Sequence, residues 1–161
     1  MHVKLIVIVL LFLPGIVYAG KLHLVINGKA YHFDRDLKWN ERNYGLGFEY
    51  EYEPQGNWIW FTAGSTFKDS NNQTSSYLGG GLRRRYLLGD DPQGLHVDVG
   101  AVAFLMTRKD FNNHRPFPGA LPFVSVGNEW LAMNMVYIPR VTPKLADLLF
   151  FQLRIKMAEF D

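Results

Sequence analysis

The most regular feature of the chain is an alternation in which apolar residues fall on every second position, with small or polar residues between them. The longest stretch has apolar side chains at Leu95, Val97, Val99, Ala101, Ala103 and Leu105. Shorter stretches with the same alternation cover residues 22–27, 45–52, 58–67, 75–86, 123–126, 131–137 and 151–157. Successive side chains of a β-strand point to opposite faces, so this period of two predicts eight strands with two chemically different faces.

The connections between these predicted strands are short at one end and long at the other. Short, turn-like connections cover residues 53–57, 89–94 and 127–129, and longer ones cover residues 29–43, 68–74, 107–121 and 139–147. This asymmetry, together with an even number of strands, is typical of outer-membrane β-barrels. The sequence therefore predicts an all-β protein, an eight-stranded antiparallel outer-membrane β-barrel built as an up-and-down meander.

A soluble β-sandwich or lipocalin-like barrel is the alternative fold for such a pattern. It would turn its apolar stripes inward and fill its interior with them. Several strands here instead carry Gly, Ser or charged residues on their second face, as at Gly45, Gly47, Glu49 and Glu51. That composition suits a narrow polar lumen and favours the membrane barrel.

The first residues are typical of a secretory signal rather than of the barrel. A basic start precedes an unbroken apolar run at residues 5–13, and small residues around Ala19 form a cleavage pattern. Pro14 ends the apolar run well short of the ~20 residues that a transmembrane helix needs, which disfavours an uncleaved anchor. We expect a signal peptide at residues 1–19, cleaved after Ala19, and a single barrel domain at residues 20–161 in the bacterial outer membrane.

Composition excludes several other classes of protein. The chain has no cysteine, which excludes a disulfide framework, a thiolate metal site and a cysteine nucleophile. Its 17 Lys and Arg against 15 Asp and Glu give a formal net charge of +2, which argues against a nucleic-acid partner that needs a broad basic surface. With 48% hydrophobic residues, a disordered chain is excluded as well. No spacing of His and carboxylate residues is typical of a metal site, so we expect neither a metal nor a cofactor.

Candidate chemistry is concentrated in the long loops. If the N-terminus starts on the periplasmic side, every odd strand runs outward, so His32 in the first long loop and Asp69 and Ser70 in the second share one rim. A His, a Ser and an acid on one rim can activate a hydroxyl for acyl transfer. Loops are also rich in these residue types because they form turns and favour solubility, so composition alone leaves a structural role open.

Several segments of the chain resemble one known family. They are NERNYGLGF from Asn40, TFKDS ending at Ser70, and RPFPGALPFVSVG from Arg115, followed by MVYIP from Met135. In this order and spacing they are similar to segments of the PagP-type lipid A palmitoyltransferases, over roughly residues 32–139. The prolines of the third segment stand where strand pairing must be interrupted. In that family, unpaired wall beside such prolines lets lipids enter the barrel laterally.

The resemblance implies an activity and a set of catalytic residues. The reaction would move an acyl chain, palmitate in the family, from the sn-1 position of a phospholipid to lipid A. The family's catalytic residues carry over onto His32, Asp69 and Ser70. His32 would be the general base and Asp69 would orient its imidazole, while Ser70 would be either a covalent nucleophile or a hydrogen-bond donor to the oxyanion. His23, inside the first predicted strand, is the competing candidate for the base.

The resemblance also implies residues and partners for binding. Gly81 matches the glycine at the floor of the family's acyl pocket, and the residues that match the segment beside the lateral opening are Arg115, Pro116, Pro118 and Pro122. Arg83, Arg84 and Arg85 are expected to be interfacial cations that extend from the barrel wall. The expected partners are a phospholipid donor, a lipid A or lipopolysaccharide acceptor and the surrounding outer-membrane lipids, with the protein as a monomer.

Two other functions remain open on the sequence. A small outer-membrane barrel can serve only as an anchor or adhesin, and the same Ser and His could hand the acyl group to water in a lipid A deacylase or phospholipase. An apolar, water-free shaft below His32 and Ser70 would favour acyl transfer. A filled lumen would favour the structural function, and an open water path to Ser70 would favour a hydrolase.

Overall fold

The fold is a closed barrel of eight strands. The computed structural model describes residues 19–34, 38–140 and 147–161, so residues 1–18 of the expected signal peptide lie outside it. The strands are β1 (Gly20–His32), β2 (Arg42–Tyr52), β3 (Trp58–Lys68), β4 (Thr74–Leu87), β5 (His96–Thr107), β6 (Phe117–Gly127), β7 (Leu131–Ile138) and β8 (Leu148–Phe160). A short 3-10 helix, Asn112–His114, lies between β5 and β6. The described residues contain no helix that is long and apolar enough to cross a membrane.

Every strand pairs in an antiparallel manner with its neighbours in the chain, and β8 closes the ring on β1. Leu24, for example, lies opposite Phe48 of β2 on one side and Ile155 of β8 on the other. Closure gives every strand a partner on both sides, which lets strands cross a bilayer with most of their backbone groups paired. The predicted all-β, eight-stranded meander is confirmed.

The two faces of the strands differ as the alternation predicts. Large apolar side chains are exposed on the outer face, including Leu46, Leu78, Leu105 and Leu131. The inner face holds most of the buried polar residues, among them His23, Asn27, Glu49, Arg83, Asp98 and Arg154. An apolar exterior around a polar interior is the reverse of a soluble barrel and matches one that is solvated by lipid.

Two strands extend well into segments that the sequence pattern predicts as long connections. β1 continues through a register shift between Asn27 and Ala30, so His32 is its last residue and not part of a loop. β6 starts at Phe117, so Pro118 and Pro122 lie within a strand that was expected to begin at residue 123. The bulge hides the first extension, because it breaks the period of two. The prolines hide the second extension, because proline is rare inside strands. A strand tolerates proline at positions where a backbone N–H would have no partner.

The half of the lumen nearest the short turns, here called the turn end, is filled by an ion-pair network. Glu49 accepts hydrogen bonds from Nη1 of Arg83 at 2.7 Å and from Nη1 of Arg154 at 2.8 Å. Asp98 accepts one from Nε of Arg85 at 2.9 Å. The expectation that all three neighbouring arginines extend from the barrel wall is therefore wrong, because Arg83 and Arg85 occupy inward positions of β4. A smaller cavity remains beside the chain ends at this turn end, and a larger one lies in the other half of the lumen, called the loop end.

Candidate functional site

A cavity of about 380 Å³ occupies the lumen at the loop end. Its walls are mainly apolar and include Ala30, Phe67, Phe104, Leu121, Leu148 and Phe150. Polar groups gather at its mouth, where the lining residues include His32, Asp69, Ser70 and Arg108. A mostly apolar pocket with a few convergent polar groups is the usual form of a ligand site. Here the polar groups form a rim above a mostly apolar cavity.

His32 and Ser70 form a hydrogen-bonded pair at the cavity mouth. The Nε2 atom of His32 lies 2.9 Å from Oγ of Ser70, although 38 residues separate the two in the chain. His32 is buried at the end of β1, and Ser70 follows the end of β3 in the connection to β4. With Nε2 unprotonated, the imidazole accepts a hydrogen bond from the Ser70 hydroxyl, which is the geometry of a base beside a nucleophile.

Asp69 organises the loop that carries Ser70. Its Oδ1 atom accepts hydrogen bonds from the backbone N–H groups of Asn71 at 2.9 Å and Gln73 at 3.0 Å. Its Oδ2 atom accepts one from Oγ of Ser75 at 2.9 Å. The expected contact with the His32 imidazole is not among the contacts of the described residues. The Asp69 carboxylate is instead occupied by the hydrogen bonds of its own loop and of Ser75.

Glu41 is the carboxylate that faces the far side of the His32 imidazole. Its Oε1 atom lies 3.9 Å from Nδ1 of His32, and no hydrogen bond to that nitrogen is found among the described residues. The Trp39 ring stacks on His32 with centroids 5.3 Å apart and an interplanar angle of 8°. Sequence reasoning assigned no chemistry to either residue. The available signal was a carboxylate in the connection that returns from His32 to β2.

Asn40 ties the two functional loops together. Its backbone N–H donates to the carbonyl oxygen of Ser70 at 2.9 Å, and its side-chain Nδ2 donates to the carbonyl oxygen of Asp69 at 3.0 Å. Because Glu41 follows directly in the chain, these bonds hold the Glu41 and Ser70 segments on the same side of the cavity. The NER segment noted in the sequence is thus part of the frame of the site.

His23 occupies a different part of the barrel. It lies nine positions before His32 on β1 (32 − 23), or roughly 30 Å at ~3.3 Å per residue. It is buried beside Glu49 and Glu51, and one ligand atom from each of the three lies within 4.8 Å of the others. Such a group could hold a cation by geometry. Both carboxylates already pair with Arg83 and Arg154, however, whose positive charges oppose a metal ion there.

The barrel wall is interrupted beside the cavity. β6 pairs with β5 from Phe117 onward, but its pairing with β7 runs only from Phe123 opposite Val136 to Gly127 opposite Ala132. Four consecutive β6 residues line the cavity, namely Pro118, Gly119, Ala120 and Leu121. Successive side chains point to opposite faces, so a cavity that touches all four extends through the wall. Arg115 and Pro116 lie exposed just before this opening, while Pro122 lies at its lower edge.

Gly81 lies on the inner face of β4 but does not line the cavity. It is paired with Phe61 of β3, and a Cβ atom built on Gly81 would lie 2.4 Å from Cζ of the Phe61 ring. The buried Phe61 ring therefore fills the space that the missing side chain leaves.

A closed antiparallel barrel that is apolar outside and charged inside is the architecture of an outer-membrane β-barrel. In this one a mostly apolar, laterally open cavity lies under the His32–Ser70 pair. The sequence profile of one family, described as antimicrobial peptide resistance and lipid A acylation protein PagP, matches residues 11–154. The chain belongs to this family.

Similar proteins carry the same family name. A protein named lipid A acyltransferase PagP from Methylobacillus flagellatus is 33% identical over 129 residues, which are 78% of this chain and 66% of that protein. One of the same name from Proteus mirabilis is 32% identical over 114 residues, 70% of this chain and 53% of that protein. The chain thus spans between about half and two thirds of the length of these relatives. Among solved structures, the Yersinia pestis outer membrane protein Ail gives a TM-score of 0.47 at 9% identity, covering 86% of this chain and 99% of that one.

Proposed function

We propose that this protein is an outer-membrane acyltransferase that moves a palmitoyl-type acyl chain from a phospholipid to lipid A. The observation that carries the proposal is the hydrogen bond between Nε2 of His32 and Oγ of Ser70 at the mouth of an apolar cavity. The family membership and the name of the relatives support the same reaction. The signal peptide cleaved after Ala19 belongs to the proposal, because the protein must be exported to reach these lipids.

His32 is the general base in this reaction. Its Nε2 atom takes a proton from an attacking hydroxyl and returns it to the glycerol oxygen that leaves the donor phospholipid. Glu41, facing Nδ1, stabilises the imidazolium that forms between these two steps. Asp69 positions Ser70 indirectly, because its hydrogen bonds fix the loop that carries Ser70.

Ser70 can serve by either of two routes. As a nucleophile, its oxygen bonds to the donor's acyl carbon, the lysophospholipid leaves with the proton from His32, and a lipid A hydroxyl then attacks the acyl-serine. As a hydrogen-bond donor, Ser70 stabilises the oxyanion while the lipid A hydroxyl attacks the donor ester directly, with His32 as its base. In both routes a hydroxyl proton ends on the leaving glycerol oxygen, and the products are acylated lipid A and a lysophospholipid.

The gap between β6 and β7 supplies a path for the donor. Pro118 and Pro122 have no backbone N–H to close the gap, and Arg115 offers a guanidinium at its outer side for a phosphate group. A lipid can slide its acyl chain through this wall without leaving the membrane. In this proposal the protein works as a monomer, because donor access, acceptor and catalytic groups all belong to one barrel.

The function is tested by mass spectrometry of lipid A from cells that express the wild type, His32→Ala or His114→Ala. His114 is a matched control, because it is an exposed histidine in the loop between β5 and β6. We expect an added mass of one acyl chain in the wild type and the control, and its loss in His32→Ala, with transfer reduced about 10²–10⁴-fold.

Other outcomes separate the alternatives. An added mass that survives His32→Ala would move the base elsewhere, and His23→Ala would be measured next. A loss of acyl mass would identify a deacylase, and no change by a folded, membrane-inserted barrel would support the anchor or adhesin. Incubation of purified protein with donor alone distinguishes the Ser70 routes, because an acyl adduct on the wild type that is absent from Ser70→Ala requires the nucleophile.

A further inference from the structure

Ser70 lies between two residues that are both contacted by the loop between β5 and β6. Nη2 of Arg108 lies 3.6 Å from Oδ2 of Asp69, the residue before Ser70. Nδ2 of Asn71, the residue after Ser70, donates a hydrogen bond to Oδ2 of Asp110. Because Arg108 and Asp110 are separated by a single residue, one short segment of the β5–β6 loop holds both neighbours of Ser70.

The Asp110 carboxylate joins Asn71 to Arg108. Its Oδ1 atom accepts a hydrogen bond from Nε of Arg108 at 3.2 Å, and its Oδ2 atom accepts one from Nη2 of Arg108 at 3.2 Å besides the bond from Asn71. Burial by itself raises the pKa of Asp110, but the Arg108 and Asn71 donors outweigh it and hold that pKa below its usual range. Asp110 is therefore ionised at neutral pH, and hydrogen bonds to a charged acceptor are stronger than those between neutral groups.

The segment that carries Asp110 is fixed on both sides. β5 ends at Thr107, which pairs with Ser76 of β4, so the segment directly follows a paired strand end. After Asp110, the ring of Phe111 packs edge to face on the ring of Phe117 at the start of β6, with centroids 4.6 Å apart. Asp110 is thus presented between a strand end and an aromatic contact, from where it can hold a neighbouring loop in place.

The loop that carries Ser70 is held from two sides. From the β1–β2 connection, Asn40 donates hydrogen bonds to the carbonyl oxygens of Ser70 and Asp69. The β3–β4 connection lies between this connection and the β5–β6 loop around the ring of strands, so Asp110 holds it from the other side. Transfer depends on this support, because a displacement of about 1 Å between reacting groups can slow a reaction by about 10²-fold.

We propose that Asp110 is a positioning residue that keeps Ser70 against His32 through its hydrogen bond to Asn71, an inference that rests on the proposed acyltransferase function. Asp110 acts through Asn71 and not on the reacting atoms. Without this bond the loop moves more freely on the Asn71 side, and the Ser70 hydroxyl spends less time at 2.9 Å from Nε2 of His32. The apolar walls of the cavity stay unchanged, so the effect falls on kcat and not on KM.

The experiment reverses the direction of the hydrogen bond between positions 71 and 110. Asn71→Asp sets two carboxylates against each other, and Asp110→Asn added to it restores a bond whose donor is now on position 110. Steady-state kinetics of transfer from a phosphatidylcholine to lipid A is measured with the purified barrels, and Lys109→Gln is the matched control because Lys109 is the exposed neighbour of Asp110. We expect kcat to fall about tenfold in Asn71→Asp with KM unchanged, and to return to within about threefold of wild type in the double variant.

Each outcome decides the proposal. An unchanged kcat in Asn71→Asp, or a double variant as slow as Asn71→Asp, overturns the role of Asp110 and leaves the acyltransferase function intact. Absence of transfer by the folded wild type overturns the proposed function and this inference with it. If Asn71→Asp does not fold, a double-mutant cycle of Asn71→Ala and Asp110→Ala replaces it. A double variant no slower than the slower single variant then supports the proposal, whereas independent, multiplying effects on kcat contradict it.

Discussion

Arg83 and Arg84 are neighbours in the chain, but Arg83 is fully buried in the barrel lumen and Arg84 is exposed on the outer wall. Arg83 binds the carboxylates of Glu49 and Glu51. Arg84 instead lies over the rings of Trp58 and Tyr86, at 5.7 and 5.3 Å from their centroids. One step along a strand thus separates a charge held by ion pairs from a charge held by aromatic faces at the barrel surface.

Replacing Arg83 should destabilise the barrel strongly. Arg83→Met leaves Glu49 and Glu51 buried without their main partner, and breaking a buried ion pair on one side costs about 3–5 kcal/mol. We expect a decrease of that size in the free energy of unfolding, measured by denaturant titration of the refolded barrel in lipid vesicles. Arg84→Met is the control, and we expect it to cost about 0.5–1 kcal/mol through its lost cation–π contacts. Equal effects of the two substitutions would contradict the role given to the network.

Neutralising Glu41 should slow transfer without weakening substrate binding. Glu41→Gln removes the negative charge 3.9 Å from Nδ1 of His32 and keeps the side-chain size. Because Glu41 is half exposed, water screens its charge, and we expect kcat to fall by roughly tenfold or less with KM unchanged. Steady-state kinetics with purified protein measures this, with Glu53→Gln at the turn end as the control. A change in KM alone would place Glu41 in acceptor binding instead.

Asp69 should be more sensitive to alanine than to asparagine. Asp69→Ala removes the acceptors of three hydrogen bonds, whereas Asp69→Asn keeps a carbonyl oxygen for the backbone N–H groups of Asn71 and Gln73. We expect Asp69→Ala to lower the free energy of unfolding by about 1–3 kcal/mol and Asp69→Asn by about half as much. Hydrogen exchange of residues 69–75 should quicken more in the alanine variant. If asparagine loosened the loop as much as alanine, the charge itself would be the stabilising feature.

Acid should weaken the turn between β6 and β7. Glu129 accepts hydrogen bonds from Nζ of Lys21 at 2.9 Å and Nζ of Lys156 at 2.5 Å. Burial by itself raises the pKa of Glu129, but the two ammonium groups outweigh it and hold that pKa below its usual range. A carboxyl whose pKa is lower in the folded state contributes stability above its unfolded pKa of about 4.3 and loses it as the pH falls through the folded value.

The measurement compares wild type with Glu129→Gln in unfolding titrations from neutral to acid pH. We expect the wild type to be more stable near neutrality and the two curves to converge in acid. Other carboxylates titrate in both proteins, so the difference between the curves isolates Glu129. Curves that stay parallel down to the lowest pH would show that the Lys21 and Lys156 contacts do not depend on this charge.

The alternation of side chains was sufficient to predict the strand number, the antiparallel meander and the face that meets lipid. It failed at the β1 bulge and at the β6 prolines, where local irregularity interrupts the period of two. The residues of the site were predicted in part. His32 and Ser70 lie on one rim as expected, because His32 ends β1, Ser70 follows β3, and odd-numbered strands end on the same side of the barrel. Glu41 was missed, because its distance from His32 depends on how the connection folds back.

Gly81 shows the limit of reading a site from sequence. A glycine on an inward position indicates open space, but Phe61 fills that space because the β3–β4 register places the two residues opposite each other. Register is set by turns and by packing of the whole sheet, and strand pattern alone leaves it undetermined. The same holds for Arg83, whose partner Glu49 lies on β2, a strand that does not pair with β4.

The sequence by itself determined the kind of barrel and the end at which chemistry could occur, because strand periodicity and loop length are properties of neighbouring residues. The tertiary structure alone decided that Glu41 faces the imidazole and that the Phe61 ring fills the niche at Gly81. These relations join residues that are not neighbours in the chain. They exist only once the ring of eight strands has closed and its register has brought those side chains to the same level of one narrow lumen.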